Sequence, residues 1–264
     1  MTFNIRRLLS RVRRAVDDYR MIEEGDRIAV GVSGGKDSLA LLIALAELRR
    51  FYPKSFEVVA ITVDMGFEGG DFSSLEEFYK TLGVPFKIVK TNLAEIIFDI
   101  RKEPNPCSLC ARMRRGILHD TAREFSCNKL ALGHHYDDVL ETFMMNLCNE
   151  GRLGTFSPVT YLDRKDITVI RPFVLTKESE IIGFANHHTL PIIKSLCPED
   201  KVTDREYYKG LLADLEARRE GLRHRMFTAI VKADLSGYGV EDKPKPKKKK
   251  NTEERKTQSE NGDE

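Results

Sequence analysis

The chain has 264 residues, enough for one large domain or one domain with a small extension. Hydrophobic residues make up 41% and can fill a real core, while 43 Lys and Arg against 41 Asp and Glu leave a formal charge of +2, which by itself announces no nucleic-acid partner. No apolar run approaches the roughly 18 residues of a membrane span and the first residues lack a signal-peptide core, so a cytoplasmic protein without a membrane partner is expected.

Residues 4 to about 22 read as a basic amphipathic helix. Ile5, Leu8, Leu9, Val12, Val16 and Tyr19 share one side, and Arg6, Arg7, Arg11, Arg13, Arg14 and Arg20 crowd the rest. It is a capping surface helix first, with RNA phosphate contact as a second role. A run of β-branched residues from Ile28 then feeds Gly31-Val32-Ser33-Gly34-Gly35-Lys36-Asp37-Ser38, and an apolar helix follows from Leu39 to Arg50. A Gly-rich turn between strand and helix is an anion site, because curled backbone N–H groups and the helix N-terminus both point at the ligand. Lys36 adds a cation, and Ser33 and Ser38 add hydroxyl donors. A Walker loop is excluded, since Asp37 follows Lys36 and Val30 stands where the first Gly belongs; the dinucleotide fingerprint fails as well, with no Gly at 36 or 37.

A second strand, Glu57 to Val63, ends in Asp64, and a helix from Ser73 to Leu82 leads to a third, Phe86 to Val89. Lys129 to Leu132 is a fourth strand and Asp166 to Ile170 a fifth. Strands alternating with helices at this spacing predict an α/β fold with a doubly wound, parallel, five-stranded sheet. Ligands bind beyond the carboxyl ends of such strands, so Asp64 and the segment Gly133-His134-His135-Tyr136-Asp137-Asp138 are expected to face the loop's crevice. Gly133 is a candidate backbone contact to the ligand, and Asp138 a metal- or substrate-orienting carboxylate.

Thr176 is expected to cap a helix running to about His187. Thr203-Asp204-Arg205-Glu206 reads as a capping box opening one long helix with Leu211, Leu215, Leu222, Met226 and Ile230 on its apolar stripe. Its basic face carries Arg218, Arg219, Arg223 and Arg225, solvated by default and a candidate RNA contact. Beyond Tyr238 the Lys-Pro run and polar remainder predict a disordered tail.

Five cysteines, an odd number, argue against a disulfide framework and for thiolate chemistry or a metal. Cys107 and Cys110 form a C-x-x-C, expected in a loop just before the basic helix that starts at Ala111. Cys127 and Cys148 read as buried small hydrophobes. Cys197, in a loop beside Pro198, is the chosen third ligand. Three thiolates suit a [4Fe–4S] cluster with one open iron or a zinc site with one open position.

Ser-Gly-Gly-Lys-Asp-Ser (Ser33–Ser38) resembles the pyrophosphate loop of the ATP pyrophosphatases, which split ATP between the α and β phosphates. That resemblance implies an adenine nucleotide alpha hydrolase-like fold, with phosphates at Gly31 and Ser33–Ser38, Mg²⁺ near Asp37, and adenosine seated by Asp64, Gly133 and His134. Cys107-Ser-Leu-Cys110 followed by Arg114-Arg115-Gly116, together with Gly133-His-His-Tyr-Asp-Asp138 and Glu141-Thr142, is similar to the tRNA 2-thiocytidine synthetase branch of that family over roughly residues 5–235. The branch implies a cluster on Cys107, Cys110 and Cys197, with ATP activating C2 of a tRNA cytidine and sulfur displacing AMP. Lys36, Asp137 and Asp138 are then the candidate catalytic residues. Best-known members carry a second C-x-x-C where this chain has Cys197 alone. The implied partners are tRNA and a sulfur donor, either a cysteine desulfurase or sulfide, with a homodimer as the assembly to test for. The chain is expected to divide into a basic helix (1–24), a loop-bearing ATP domain (25–175), a helical part with the third cysteine (176–238) and the tail (239–264). A lysidine-synthetase-like ligase, an amidating enzyme, and a zinc-stabilised binding module without turnover are the alternatives.

Overall fold

The computed structural model describes residues 5–102, 106–199 and 204–240. Strands β1 (Asp26–Gly31), β2 (Phe56–Asp64), β3 (Phe86–Lys90), β4 (Lys129–Ala131), β5 (Val159–Leu162) and β6 (Ile167–Ile170) form one sheet in the order β3-β2-β1-β4-β6-β5. The pairs β1–β2, β2–β3, β1–β4 and β4–β6 are parallel, and β5 joins β6 antiparallel, Val159 opposite Ile170. The chain winds outward from β1 to β3 and then crosses to β4 on the other side of β1. The carboxyl ends of β1 and β4 therefore flank the topological switch point, where α/β sheets bind ligands.

Alternation along the central strands divides the core. Ile28 and Val30 of β1 and Val58 and Ala60 of β2 join the larger cluster, beneath helices α1 (Ile5–Asp18), α2 (Lys36–Leu48), α3 (Ser73–Thr81), α5 (Tyr136–Glu150) and α6 (Glu178–His187). Ala29, Val59 and Ile61 face the smaller cluster, where helix α4 (Pro106–Glu124) contributes Leu118 and Ala122. Strands covered on both faces read as continuous apolar runs, which is what Ile-Ala-Val and Val-Val-Ala-Ile are. Helix α2 is buried nearly all round. Each of its inaccessible Leu side chains (Leu39, Leu41, Leu42, Leu45, Leu48) contributes about 1.5–3 kcal/mol of burial. Helix α1 instead buries one stripe, Leu8, Val12, Ala15 and Val16, against the same core.

Several expectations change. The sheet has six strands, not five; β5 is a short, half-exposed edge strand turned back onto β6 through Asp163–Lys165, and Val-Thr-Tyr-Leu gives little signal of burial. The first helix stops at Asp18: Arg20 has φ 49°, and Met21 and Ile22 leave the helix to be buried. Helix α2 starts at Lys36, so Lys36, Asp37 and Ser38 belong to its first turn. Thr176 is buried but is not the cap, since Lys177 precedes the first residue of α6. The expected single long helix is two, α7 (Asp204–Arg218) and α8 (Leu222–Lys232). Gly221, at φ 76°, breaks it, and the Glu216 carboxylate accepts the backbone N–H groups of Gly221 and Arg223 at 2.8 Å each. The buried stripe accordingly shifts to Tyr208, Leu212, Phe227 and Ile230. The tail from 241 onward and Thr203 of the expected capping box lie outside the described residues. No described helix is long and apolar enough to cross a membrane.

Candidate active site

The loop after β1 is closed by its own hydroxyls. Ser38 Oγ accepts from the Ser33 N–H at 3.1 Å, lies 3.2 Å from Ser33 Oγ and donates to the Gly35 carbonyl at 2.9 Å. Gly34 takes φ 82°, a conformation that favours glycine, and its carbonyl accepts the Ile193 N–H at 3.0 Å. A Cβ at Gly34 would also meet Ile193 Cβ at 3.1 Å, so the segment leading to Cys197 is seated on this loop. The first N–H groups of α2 have no partner within their helix and point out of its N-terminus. Gly133, after β4, packs so closely on this turn that a Cβ would stand 3.2 Å from the Asp37 carbonyl carbon and 3.3 Å from the Ser38 nitrogen. Asp64 sits at the carboxyl end of β2 as expected, its Oδ1 accepting the Gly66 N–H at 2.9 Å.

Lys36 Nζ donates to Asp37 Oδ2 at 3.0 Å and to Glu178 Oε1 at 3.1 Å. Burial would lower the Lys36 pKa, but these carboxylates outweigh it and raise it. Asp37 Oδ1 is buried with no partner. Burial acts to raise the Glu178 carboxyl as well, yet its bonds to Lys209 and Lys36 bring it down to about 2.

Asp137 and Asp138 are heavily engaged. Asp137 Oδ2 accepts the Glu178 N–H at 2.8 Å and Oδ1 accepts Arg223 Nη1 at 2.8 Å, joining α5 to α6 and α8. Asp138 Oδ2 accepts the His135 N–H at 2.8 Å, closing the cap of α5, and Oδ1 accepts Arg205 Nη1. Arg223 is thus turned inward to a carboxylate, not outward with the basic face expected of it. Glu141, one turn on from Asp138, is 4% exposed, and burial with the neighbouring Asp138 pushes its carboxyl up to about 7. His134 lies against the Phe156 ring, centroids 5.0 Å apart, and burial pulls its imidazole down to about 4. Glu178, Arg205 and Lys209 join the site without being expected there from the sequence. Spacing is a local signal for two of them, since Arg205 and Lys209 are four apart on α7 and so share a face.

Cys107 and Cys110 lie not in a loop but in the first turns of α4, three apart and therefore on one side. Burial pushes the Cys110 thiol up, Arg114 pulls it down, and the nearby Cys197 and Cys107 push it up further. Among the described residues, no three His, Cys, Asp or Glu side chains form a metal-holding arrangement. Cys107 is exposed and Cys110 and Cys197 are half-buried, all unpaired thiols that suit a soft metal or a cluster. Cys127 is buried as expected; Cys148 is exposed, contrary to expectation, because it sits on the outer side of α5.

The sequence profile of the PP-loop domain family matches residues 6–208. A tRNA-cytidine(32) 2-sulfurtransferase of Pelobacter propionicus is 43% identical over 228 residues, 85% of this chain and 85% of the relative. Its counterpart in Syntrophotalea carbinolica is 42% identical, over 82% of this chain and 85% of its own. Among solved structures, a U34-tRNA thiolase of Methanococcus maripaludis with its [4Fe–4S] cluster superposes with a TM-score of 0.69 at 25% identity, covering 90% of this chain and 81% of its own.

Proposed function

This chain belongs to the PP-loop domain family, and from that premise we propose that it is an ATP-dependent tRNA thiolase acting on a cytidine. ATP activates the base at its C2 carbonyl oxygen: that oxygen attacks the α phosphorus, pyrophosphate leaves, and sulfur then attacks C2 and expels AMP. The relatives' names supply cytidine 32 as the position. The observation that carries the reading is the closed Ser33–Ser38 loop at the switch point, with Gly133 pressed against its first helical turn.

The loop N–H groups and Lys36 bind the phosphates, and Lys36 exchanges its bonds to Asp37 and Glu178 for phosphate oxygens. Its charge then offsets what develops on the departing pyrophosphate, the electrostatic stabilisation that phosphoryl chemistry depends on. Asp37 is the carboxylate assigned to Mg²⁺, supported by its unpartnered buried oxygen. Asp64, Gly133 and His134 seat the adenosine, with His134 neutral because burial disfavours its cation. Asp137 and Asp138 act by position: one fixes the start of α6 and with it Glu178, the other caps α5 and holds Arg205. Cys107, Cys110 and Cys197 would hold a [4Fe–4S] cluster, which when bound supplies an open iron for carrying sulfide. Ile193, four residues before Cys197, is seated on Gly34 and so ties the start of the third cysteine's segment to the loop. The protein works in the cytoplasm, with sulfide or a cysteine desulfurase as donor, and a homodimer is the assembly to be sought by light scattering.

Mass spectrometry of tRNA nucleosides from cells with and without the gene tests this. The expected result is loss of 2-thiocytidine alone; an unchanged thionucleoside profile refutes it.

A further inference from the structure

We propose that Lys209, carried on α7, is a second phosphate-binding cation of the ATP site, parked beside the loop on the Glu178 carboxylate that it shares with Lys36. This rests on the reading of the Ser33–Ser38 loop as the ATP phosphate site. Glu178 Oε1 accepts from Lys36 Nζ at 3.1 Å and from Lys209 Nζ at 3.2 Å, and Oε2 lies 2.9 Å from Lys209 Nζ. One carboxylate gripped by two ammonium groups stands where an arriving phosphate oxygen would make the same two bonds. Glu178 is held there by its own backbone, whose N–H is fixed to Asp137. It is a positioning residue: it keeps both amines at the mouth of the loop until a stronger anion replaces it.

A purely structural role for Lys209 is the competing account, and α7 does not need one. Arg205, a turn earlier, already bonds Asp138; Tyr208 bonds Asn149; and Leu212 is buried in the core. Lys209 itself is 42% exposed on a long stem, able to swing from Glu178 to a phosphate without undocking its helix. Two lysines reaching one triphosphate from α2 and α7 would also make the C-terminal helices part of the nucleotide site.

Calorimetric titration of the full chain with inorganic pyrophosphate tests the assignment. Lys209→Gln should weaken binding about tenfold and Lys209→Arg should restore most of it. Glu178→Gln should bind at least as tightly as wild type, and Glu178→Gln/Lys209→Gln should stay as weak as Lys209→Gln. Melting temperatures of the arginine variant and of the double variant, which buries no unpaired charge, guard against misfolding. Wild-type affinity in Lys209→Gln, or recovery in the double variant to the Glu178→Gln level, overturns the proposal, because Lys209 would then only neutralise Glu178. If Lys36→Ala weakens binding while Lys209→Gln does not, the proposal fails and the loop reading stands. If wild type binds no pyrophosphate, both fail.

Discussion

Replacing Gly133 by Ala probes whether the loop and the end of β4 form one rigid crevice. The added Cβ would meet the Asp37 carbonyl carbon at 3.2 Å, the Ser38 nitrogen at 3.3 Å and the Asp37 oxygen at 3.4 Å. Gly133 is not among the glycines with positive φ, so the cost is one of contact, not of backbone conformation. All three atoms are backbone in the first turn of α2, where the Ser38 hydroxyl ties the loop to itself, so nothing nearby yields cheaply. Overpacking of this kind costs about 1–3 kcal/mol. Spent on stability, that lowers the melting temperature by about 2–10 °C in a domain of this size. Spent on displacing the phosphate-binding N–H groups, it weakens ATP about 5- to 150-fold. Gly116→Ala is the control: it lies in α4 with nothing within 4 Å of an added Cβ, and should gain about 0.5–1 kcal/mol with ATP affinity unchanged. Thermal melts with ATP titration separate the cases. A Gly133→Ala protein that melts and binds ATP as wild type does would refute the reasoning.

Three further outcomes follow from the same geometry. Glu141, raised from 4.5 to about 7, binds a proton in the fold that the unfolded chain has released, so stability falls as pH rises from about 4.5 to 7. His134, lowered from 6.5 to about 4, works the other way, its stability present above 6.5 and lost as pH falls toward 4. The two slopes oppose each other, so Glu141→Gln should melt progressively higher than wild type by a few degrees as pH approaches about 7, and a pH-independent difference would contradict the assignment. Cys107→Ala, Cys110→Ala and Cys197→Ala should each abolish thiolation and bound iron while Cys148→Ala changes neither; iron analysis of anaerobically purified protein reads this directly. Tyr238→Phe removes a buried hydroxyl without a partner, so its melting temperature should hold or rise, by up to about 1–3 kcal/mol in stability; a clear loss would mean that the hydroxyl is satisfied.

The parts legible in the sequence were those written in local pattern. The apolar runs of β1 and β2, the glycines between β1 and α2, and Asp64 and Gly133 at strand ends depend on neighbours close in the chain, and the structure has them where the pattern put them. What escaped depends on distant partners. The edge strand β5 is held by β6 and buries little of its own surface, so its four residues carry weak alternation. The break at Gly221 needs the Glu216 carboxylate to take up two N–H groups, which no helical repeat announces. Glu178 and Lys209 meet only because Asp137 fixes one and the docking of α7 delivers the other, across 31 residues of chain. Cys107 and Cys110, expected in a loop before the helix, lie within it because Pro106 opens helix α4, where its missing N–H costs nothing.

The central claim is that one crevice couples ATP cleavage to sulfur insertion, and the direct measurement is a joint count of both products. Anaerobically purified protein with its iron, given ATP, Mg²⁺, sulfide and tRNA lacking the modification, should form 2-thiocytidine and AMP in equal amounts, with no AMP beyond background when tRNA is omitted. AMP that accumulates without thionucleoside, or only when lysine or ammonia replaces sulfide, would contradict it.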